Sequence, residues 1–340
     1  MSDLLTLTPE GLFCAEAGVH IDPVRPVEKA VITHGHADHA RSGHGAVLAT
    51  RQTLDIMAIR YGENFCGSAQ AIDYGETLKL RGVEISLHPA GHVLGSAQVL
   101  LASAGQRTVV SGDYKRQADP TCVPFEVVPC DTFVTEATFG LPVFRHPPAQ
   151  QEIAKLLSSL ELFPEQTHLV GAYALGKAQR VIAELRAAGY EKTIYMHGAL
   201  EKLTAYYQSQ GIDLGEVDPV GKRGKELAGE IVLCPPGQLS DRWSRRFGDP
   251  VAAMASGWMR VRARARQRGA ELPLILSDHA DWDDLCRTIL ETGAEQIWVT
   301  HGAEEALVHW CELNGRNARP LNMIGYDDGE EADVARAAQG

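Results

Sequence analysis

The sequence predicts an α/β protein in two parts, a sheet-rich body interrupted by a small parallel α/β domain. Three observations carry that reading. Before residue 140, apolar runs repeatedly end in His, Asp or Glu: Ala30-Val31-Ile32 before His34, residues 108–111 before Asp113, and Thr132-Phe133-Val134-Thr135 before Glu136. From about Pro147 the texture becomes strand, helix, strand, helix, strand, the alternation of a parallel sheet with crossover helices. The first style then returns, in Pro273-Leu274-Ile275-Leu276 leading to His279 and in Gln296-Ile297-Trp298-Val299-Thr300 ending at His301. The body is therefore expected over residues 1–146 and 270–340, with the insertion over 147–269.

Composition sets the class without choosing the substrate. The chain has 340 residues, 44% hydrophobic and 22% charged, which is ordinary for a globular protein with a large core. No apolar run approaches the roughly 18 residues of a membrane span, so no membrane partner is expected. The start, Met1-Ser2-Asp3-Leu4-Leu5, lacks the basic, then apolar, pattern of a signal peptide. Seven cysteines with no C-x-x-C pair argue against a disulfide framework, and a cytoplasmic protein is expected. A net charge of −12 weighs mildly against nonspecific nucleic-acid binding, although bound cations and a local basic face can dominate a cleft.

Taken in order, residues 11–14 and 19–21 read as short strands. The turn at Asp22-Pro23 then precedes residues 27–32, the strand that delivers the His cluster. A helix is expected over 50–61 with Thr50 or Thr53 near its N-cap. Strands follow over 77–80, 83–87, 97–102, 108–111 and 132–135, where alternation or apolar runs indicate a sheet. In the insertion, 150–162 reads as an amphipathic helix, 168–170 as a strand, and 178–188 as a helix. The strand 192–196, the helix 201–210 and the strand 230–234 complete it. The Ala-rich acidic stretch after Tyr326 reads as helical or frayed.

The densest chemistry lies in Thr33-His34-Gly35-His36-Ala37-Asp38-His39, with three imidazoles and one carboxylate within six residues. Imidazole and carboxylate donors at this spacing can divide between two neighbouring metal ions. A surface His cluster is the blander alternative. Taken singly, His92, His279 or His301 is an ordinary loop histidine, Asp113 a turn residue, and Glu136 a strand-end ion pair. At successive strand ends, together, they read as one site.

The pattern His34-x-His36-x-Asp38-His39, then His92, then Asp113, resembles the metal motifs of the metallo-β-lactamase fold. Glu136, His279 in Ser277-Asp278-His279-Ala280-Asp281, and His301 in Thr300-His301-Gly302 resemble the further motifs of the β-CASP nucleases. Ala172-Tyr173-Ala174-Leu175-Gly176-Lys177-Ala178-Gln179 is similar to the signature of their inserted domain. The likeness runs from about residue 10 to 315. It implies a metallo-β-lactamase αββα four-layer sandwich carrying a small parallel α/β (β-CASP) insertion. Within the group, the wording around His279 resembles bacterial ligase-associated DNA exonucleases, which implies DNA, single-stranded or with an end, as substrate. An ATP-dependent DNA ligase and a helicase would then be the partners in DNA repair. His301, however, is more typical of the RNA-processing branch.

The resemblance also implies roles. His34, His36 and His92 would hold one divalent ion, Asp38, His39 and His301 a second, with Asp113 bridging and Asp22 behind the ligands. Two such ions, Zn²⁺ or Mn²⁺ by the donor set, stand roughly 3.5–4 Å apart and can activate a water against a phosphodiester. Asp38 is thus counted with the catalytic set. His279 would protonate the departing oxygen, oriented by Glu136.

For substrate grip, Gly176-Lys177 at a helix start is a natural anion site, and Arg180 lies on the same helix. The run Trp258-Met259-Arg260-Val261-Arg262-Ala263-Arg264-Ala265-Arg266-Gln267-Arg268 puts its arginines on one face if it is a strand and spreads them around if it is a helix, and near its start the strand is favoured. Trp258, Arg260, Arg262 and Arg264 then suit backbone contact and base stacking on a single strand. A plain solvated surface is the alternative. Two further functions remain open: a small-molecule metallohydrolase, which would need neither the insertion nor the arginines, and a non-catalytic scaffold, which would show a degraded ligand set.

Overall fold

A computed structural model describes residues 4–323. The acidic stretch after Tyr326 lies outside them. The chain forms two compact units, residues 4–145 with 279–323, and His146–Asp278.

In the first unit a six-stranded sheet follows sequence order: Thr6–Thr8 (β1), Gly11–Cys14 (β2), Val19–Ile21 (β3), Lys29–Val31 (β4), His44–Ala49 (β5) and Cys66–Ala71 (β6). β5 and β6 are strands the sequence did not suggest. Their residues, such as Cys66-Gly67-Ser68-Ala69-Gln70-Ala71, are small and only weakly alternating, and tertiary pairing, of β5 to β4 and of β6 to β5, decides them. Between them Arg51–Tyr61 (α1) starts at Thr50, whose side chain accepts the Thr53 amide at 3.2 Å, an ordinary N-cap. A second sheet begins with Thr77–Leu80 (β7), Val83–Pro89 (β8), Ala97–Ser103 (β9), Gln106–Val110 (β10) and Thr132–Ala137 (β11).

The second unit is built on an entirely parallel sheet: His168–Gly171 (β12), Ile194–Met196 (β13), Val217–Pro219 (β14), Ile231–Cys234 (β15), Val251–Ala255 (β16) and Leu272–Leu274 (β17), ordered β14-β13-β15-β12-β16-β17. Its helices include Ala149–Leu162 (α2), Lys177–Ala187 (α3) and Glu201–Ser209 (α4). Two expectations are corrected here. The second unit runs to Asp278 and not to 269, because β17 pairs with β16 and completes its sheet. The arginine run is not a strand. Gly257–Arg260 is a 3-10 turn and Arg262–Gln267 (α5) a short helix anchored by buried Ala265. At helical pitch, residues two apart point to nearly opposite sides, so the arginines do not share a face.

The chain then returns to the first unit through Trp282–Glu291 (α6), Gln296–Gly302 (β18), Glu304–Leu313 (α7) and Asn317–Pro320 (β19). The second sheet is completed as β19-β18-β11-β10-β9-β8-β7. One apolar layer joins the two sheets, with Leu12, Ile21, Val31 and Leu48 facing Ile85, Val99, Val110 and Val134. A second layer packs Leu285, Ile289 and Leu307 of α6 and α7 on Phe133 and Ile297, and a third packs Leu54 and Met57 of α1 on Val47 and Ala49. The result is helix, sheet, sheet, helix. Because β8, β10, β11 and β18 run in the same sense, the residues at or just past their carboxyl ends, His92, Asp113, Glu136 and His301, emerge at one edge. No helix among the described residues is long and apolar enough to cross a membrane.

Candidate metal centre

The site is assembled outward from Asp22, a buried residue with φ 45° at the end of β3. Its Oδ1 accepts the Thr33 amide at 2.8 Å and its Oδ2 the Thr33 hydroxyl at 2.6 Å, while the same Oδ2 lies 2.8 Å from His39 Nδ1. Thr33 Oγ1 in turn sits 3.0 Å from His34 Nδ1. One carboxylate thereby ties up the Nδ1 side of two imidazoles and turns their Nε2 atoms inward. Thr33 is the residue the sequence reading overlooked. Its place directly before the first histidine was the available signal.

Asp113 supplies the centre. Its Oδ2 lies 3.3 Å from His34 Nε2, 3.4 Å from His39 Nε2 and 3.7 Å from His92 Nε2. Gly112 makes this approach possible, since at φ 57° a Cβ would lie 2.7 Å from the Thr33 side chain. His92 Nε2 faces His36 Nδ1 at 2.9 Å, and Asp38 Oδ2 is 3.6 Å from His39 Nε2. Two sets of donor atoms each fall within 4.8 Å of one another: His34, His36, His92 with Asp113, and Asp113 with Glu136 and His279. His301, at φ 59°, brings its ring to 5.2 Å from that of His39, a neighbour of Asp38 and Asp113.

Electrostatics indicate what belongs there. Burial and the charge of His39 push His34 down to about 3, and burial and His39 lower His301 to about 4. Burial opposes ionisation of Asp113, yet His39 and His279 hold its carboxyl well below the usual range. Burial also disfavours charge on His39, but Asp113 and Asp38 lift it well above the ordinary histidine value. A proton on His39 thus balances buried carboxylates that a cation would neutralise. Among the described residues, the buried Nε2 of His34, despite its approach to Asp113, and the Oδ1 of Asp38 make no hydrogen bond of good geometry. The residues fit a divalent ion, whose binding would displace that proton.

A second pair abuts the cluster. Glu136 Oε2 lies 2.9 Å from His279 Nδ1, Glu136 Oε1 accepts the Tyr114 amide at 2.8 Å, and the His279 ring stands 4.7 Å from that of His92. A bulge at Glu136/Ala137 accompanies the close packing of Gly302 on the Ala137 backbone.

With this geometry in view the relatives are informative. No family model matches the chain. A ribonuclease of Thermus thermophilus is 29% identical over 390 residues, covering 91% of this chain and 88% of that protein. A probable DNA ligase of Opitutus terrae is 28% identical over 86% of this chain, and endoribonuclease ysh1 of Emericella nidulans is 34% identical over 41% of it. The chain spans only 28% and 15% of those two proteins. In fold it is similar to a protein of unknown function from Enterococcus faecalis, with a TM-score of 0.58 at 12% identity, covering 87% of this chain and 79% of that one. The chain is thus similar to nucleases of the β-CASP group, and its fold matches that of a solved structure at low identity.

Two expected substrate contacts are instead internal. Lys177 and Arg180 are each 1% exposed. Lys177 Nζ is 3.0 Å from Asp278 Oδ2 and donates to the Leu276 carbonyl at 2.9 Å, while Arg180 Nη1 is 3.4 Å from Asp278 Oδ1 and donates to the Ser277 carbonyl. The start of α3 faces inward, and the buried Asp278 carboxylate requires both cations. Arg260, Arg262 and Arg264 lie on the surface, with the Arg264 guanidinium 3.8 Å from the ring centroid of half-buried Trp258.

Proposed function

We propose that the protein is a metal-dependent nuclease that hydrolyses phosphodiester bonds of nucleic acid. The observation that carries this is the Glu136–His279 pair set against the same Asp113 that centres the histidine cluster. His34, His36, His92 and Asp113 would hold one divalent ion, Zn²⁺ or Mn²⁺. Asp38, His39 and His301 would hold a second beside Asp113. Such ions supply Lewis acidity and lower the pKa of a bound water when present. The protein's own part is proton handling and position. Glu136 accepts from His279 Nδ1, which leaves Nε2 to carry the proton for the departing oxygen. Asp22 keeps His39 aligned through Nδ1.

The finer reading is a DNA exonuclease working with an ATP-dependent ligase, and with a helicase, in DNA repair. The match of 86% of this chain to part of a probable DNA ligase supports it. A ribonuclease reading is supported by the Thermus thermophilus ribonuclease, which aligns over 88% of its own length. We assign Trp258, Arg260, Arg262 and Arg264 as strand contacts under either reading.

The test is a single gel. End-labelled single-stranded DNA and RNA of one sequence are incubated with the protein and Mn²⁺ or Zn²⁺, and product lengths are followed in time. Progressive shortening of DNA alone is expected. Shortening of RNA alone selects the ribonuclease, and no cleavage of either, with metal bound, removes the nuclease reading.

A further inference from the structure

The second unit carries another built surface at the carboxyl ends of β13, β14 and β15, the edge at which open parallel sheets bind ligands. Two segments meet there. The loop after β14 is tied to the 3-10 turn Ser244–Phe247, because Arg246 Nη1 donates to the Gly221 carbonyl at 2.9 Å. Gly224 packs so closely on this turn that a Cβ would lie 2.7 Å from the Arg246 carbonyl oxygen. Half-buried Trp243 is fixed between His197 and Phe247, at ring-centroid distances of 4.9 and 5.0 Å, with the Arg246 guanidinium 5.4 Å above it.

On this frame Lys222, Lys225, Arg242, Arg245 and Arg246 are all exposed. Among the described residues none of these five forms an ion pair, whereas neighbouring Arg223 is neutralised by Asp218 at 2.6 Å. Only two acids, Glu226 and Asp241, share the two segments with them. In a chain whose net charge is −12, this is a local excess of cations held in fixed positions. Clustered cations repel one another, and a polyanion relieves that repulsion while releasing its counterions.

We propose that this surface docks the phosphodiester backbone of a nucleic-acid strand, with Trp243 offering a ring to a base. The assignment rests on the nuclease reading, since that reading supplies the strand. Docking here would hold long substrates beyond the nucleotides that react, and short ones would gain nothing from it.

The test uses the full chain. A fluorescent single-stranded 30-mer is titrated in EDTA, which blocks hydrolysis, at several salt concentrations, with unaltered protein and with Lys222→Glu/Arg242→Glu/Arg245→Glu. The expected result is binding weakened by about 10-fold or more, with the log–log salt slope reduced by roughly 2, the loss of three strand contacts at about 0.7 each. Lys222→Arg/Arg242→Lys/Arg245→Lys should bind as the unaltered protein does, which separates charge from folding. In Mn²⁺, the reversed variant should lose rate on the 30-mer but not on bis(p-nitrophenyl) phosphate. Unchanged affinity and slope in the reversed variant overturn the proposal. Salt-dependent binding without cleavage of any strand would overturn the nuclease reading and leave the docking surface standing.

Discussion

Glu136 holds His279 from behind. Its Oε2 lies 2.9 Å from His279 Nδ1, and its Oε1 is itself fixed by the Tyr114 amide at 2.8 Å. The His279 ring is thereby held with Nδ1 toward Glu136 and Nε2 turned away from it. His279→Ala is expected to lower kcat by about 10²–10⁴-fold while metal content is retained. Glu136→Gln should lower it by roughly 10–100-fold. Turnover of a labelled strand, paired with metal analysis of the same samples, separates the two roles. Loss of metal in His279→Ala would make it a ligand and not the acid.

Asp38 and Asp22 should fail differently. Asp38→Ala removes a carboxylate from the cluster and is expected to lose bound metal and activity together. Asp22→Ala leaves every proposed ligand in place but frees Thr33 and His39, so metal affinity should drop by about 10–100-fold with activity recoverable at high metal. Chelation should also lower the Tm of the unaltered protein, because the ion binds only the folded chain. Full activity of Asp38→Ala with metals supplied would defeat the two-ion assignment.

Asp278 is the shared counter-ion of two buried cations, Lys177 and Arg180. Asp278→Ala removes their shared counter-ion, leaving Arg180 its 3.7 Å pair with Glu184, and is expected to destabilise the protein by about 3–5 kcal/mol in denaturant unfolding. A shift below 1 kcal/mol, on the order of an exposed pair, would mean that water already screens these cations.

Arg264 stacks on Trp258 at the surface. Arg264→Glu is expected to weaken single-strand binding modestly and to reduce the salt slope by about 0.7. An unchanged slope, read from the same titration, would make the arginine helix plain surface.

His168 of β12 is buried, with Nε2 2.8 Å from Ser159 Oγ. Burial lowers its pKa, against the raising influence of the Gln166 and Ser159 contacts. Below the ordinary histidine value near 6.5 the unfolded chain therefore binds the extra proton first, and stability falls as pH falls through that value. Above it the contribution is fully present. His168→Gln should lose less stability than the unaltered protein between about pH 7.5 and 5.5, measured by chemical unfolding. Equal losses would place the acid sensitivity elsewhere.

The local sequence marked the candidate ligands. The spacing of His34 to His39 and the strand ends before Asp113, Glu136 and His301 were legible because a strand's apolar run and its polar terminus are adjacent in the chain. The inserted parallel sheet was legible for the same reason, since its alternation of strand and helix is local. Tertiary structure alone decided the rest. Lys177 and Arg180 looked like anion contacts until Asp278, about a hundred residues later, proved to take their charge. The arginines from Arg260 to Arg266 fit a strand or a helix equally by period, and the burial of Ala265 selected the helix. Cys66–Ala71 carries no strand pattern of its own and becomes one only beside His44–Ala49. The sharing of Asp22 between Thr33 and His39, and of Asp113 among three imidazoles, lies equally beyond sequence reasoning. Residue type and period are local properties, whereas the partner that neutralises a buried charge is set by packing between segments far apart in the chain.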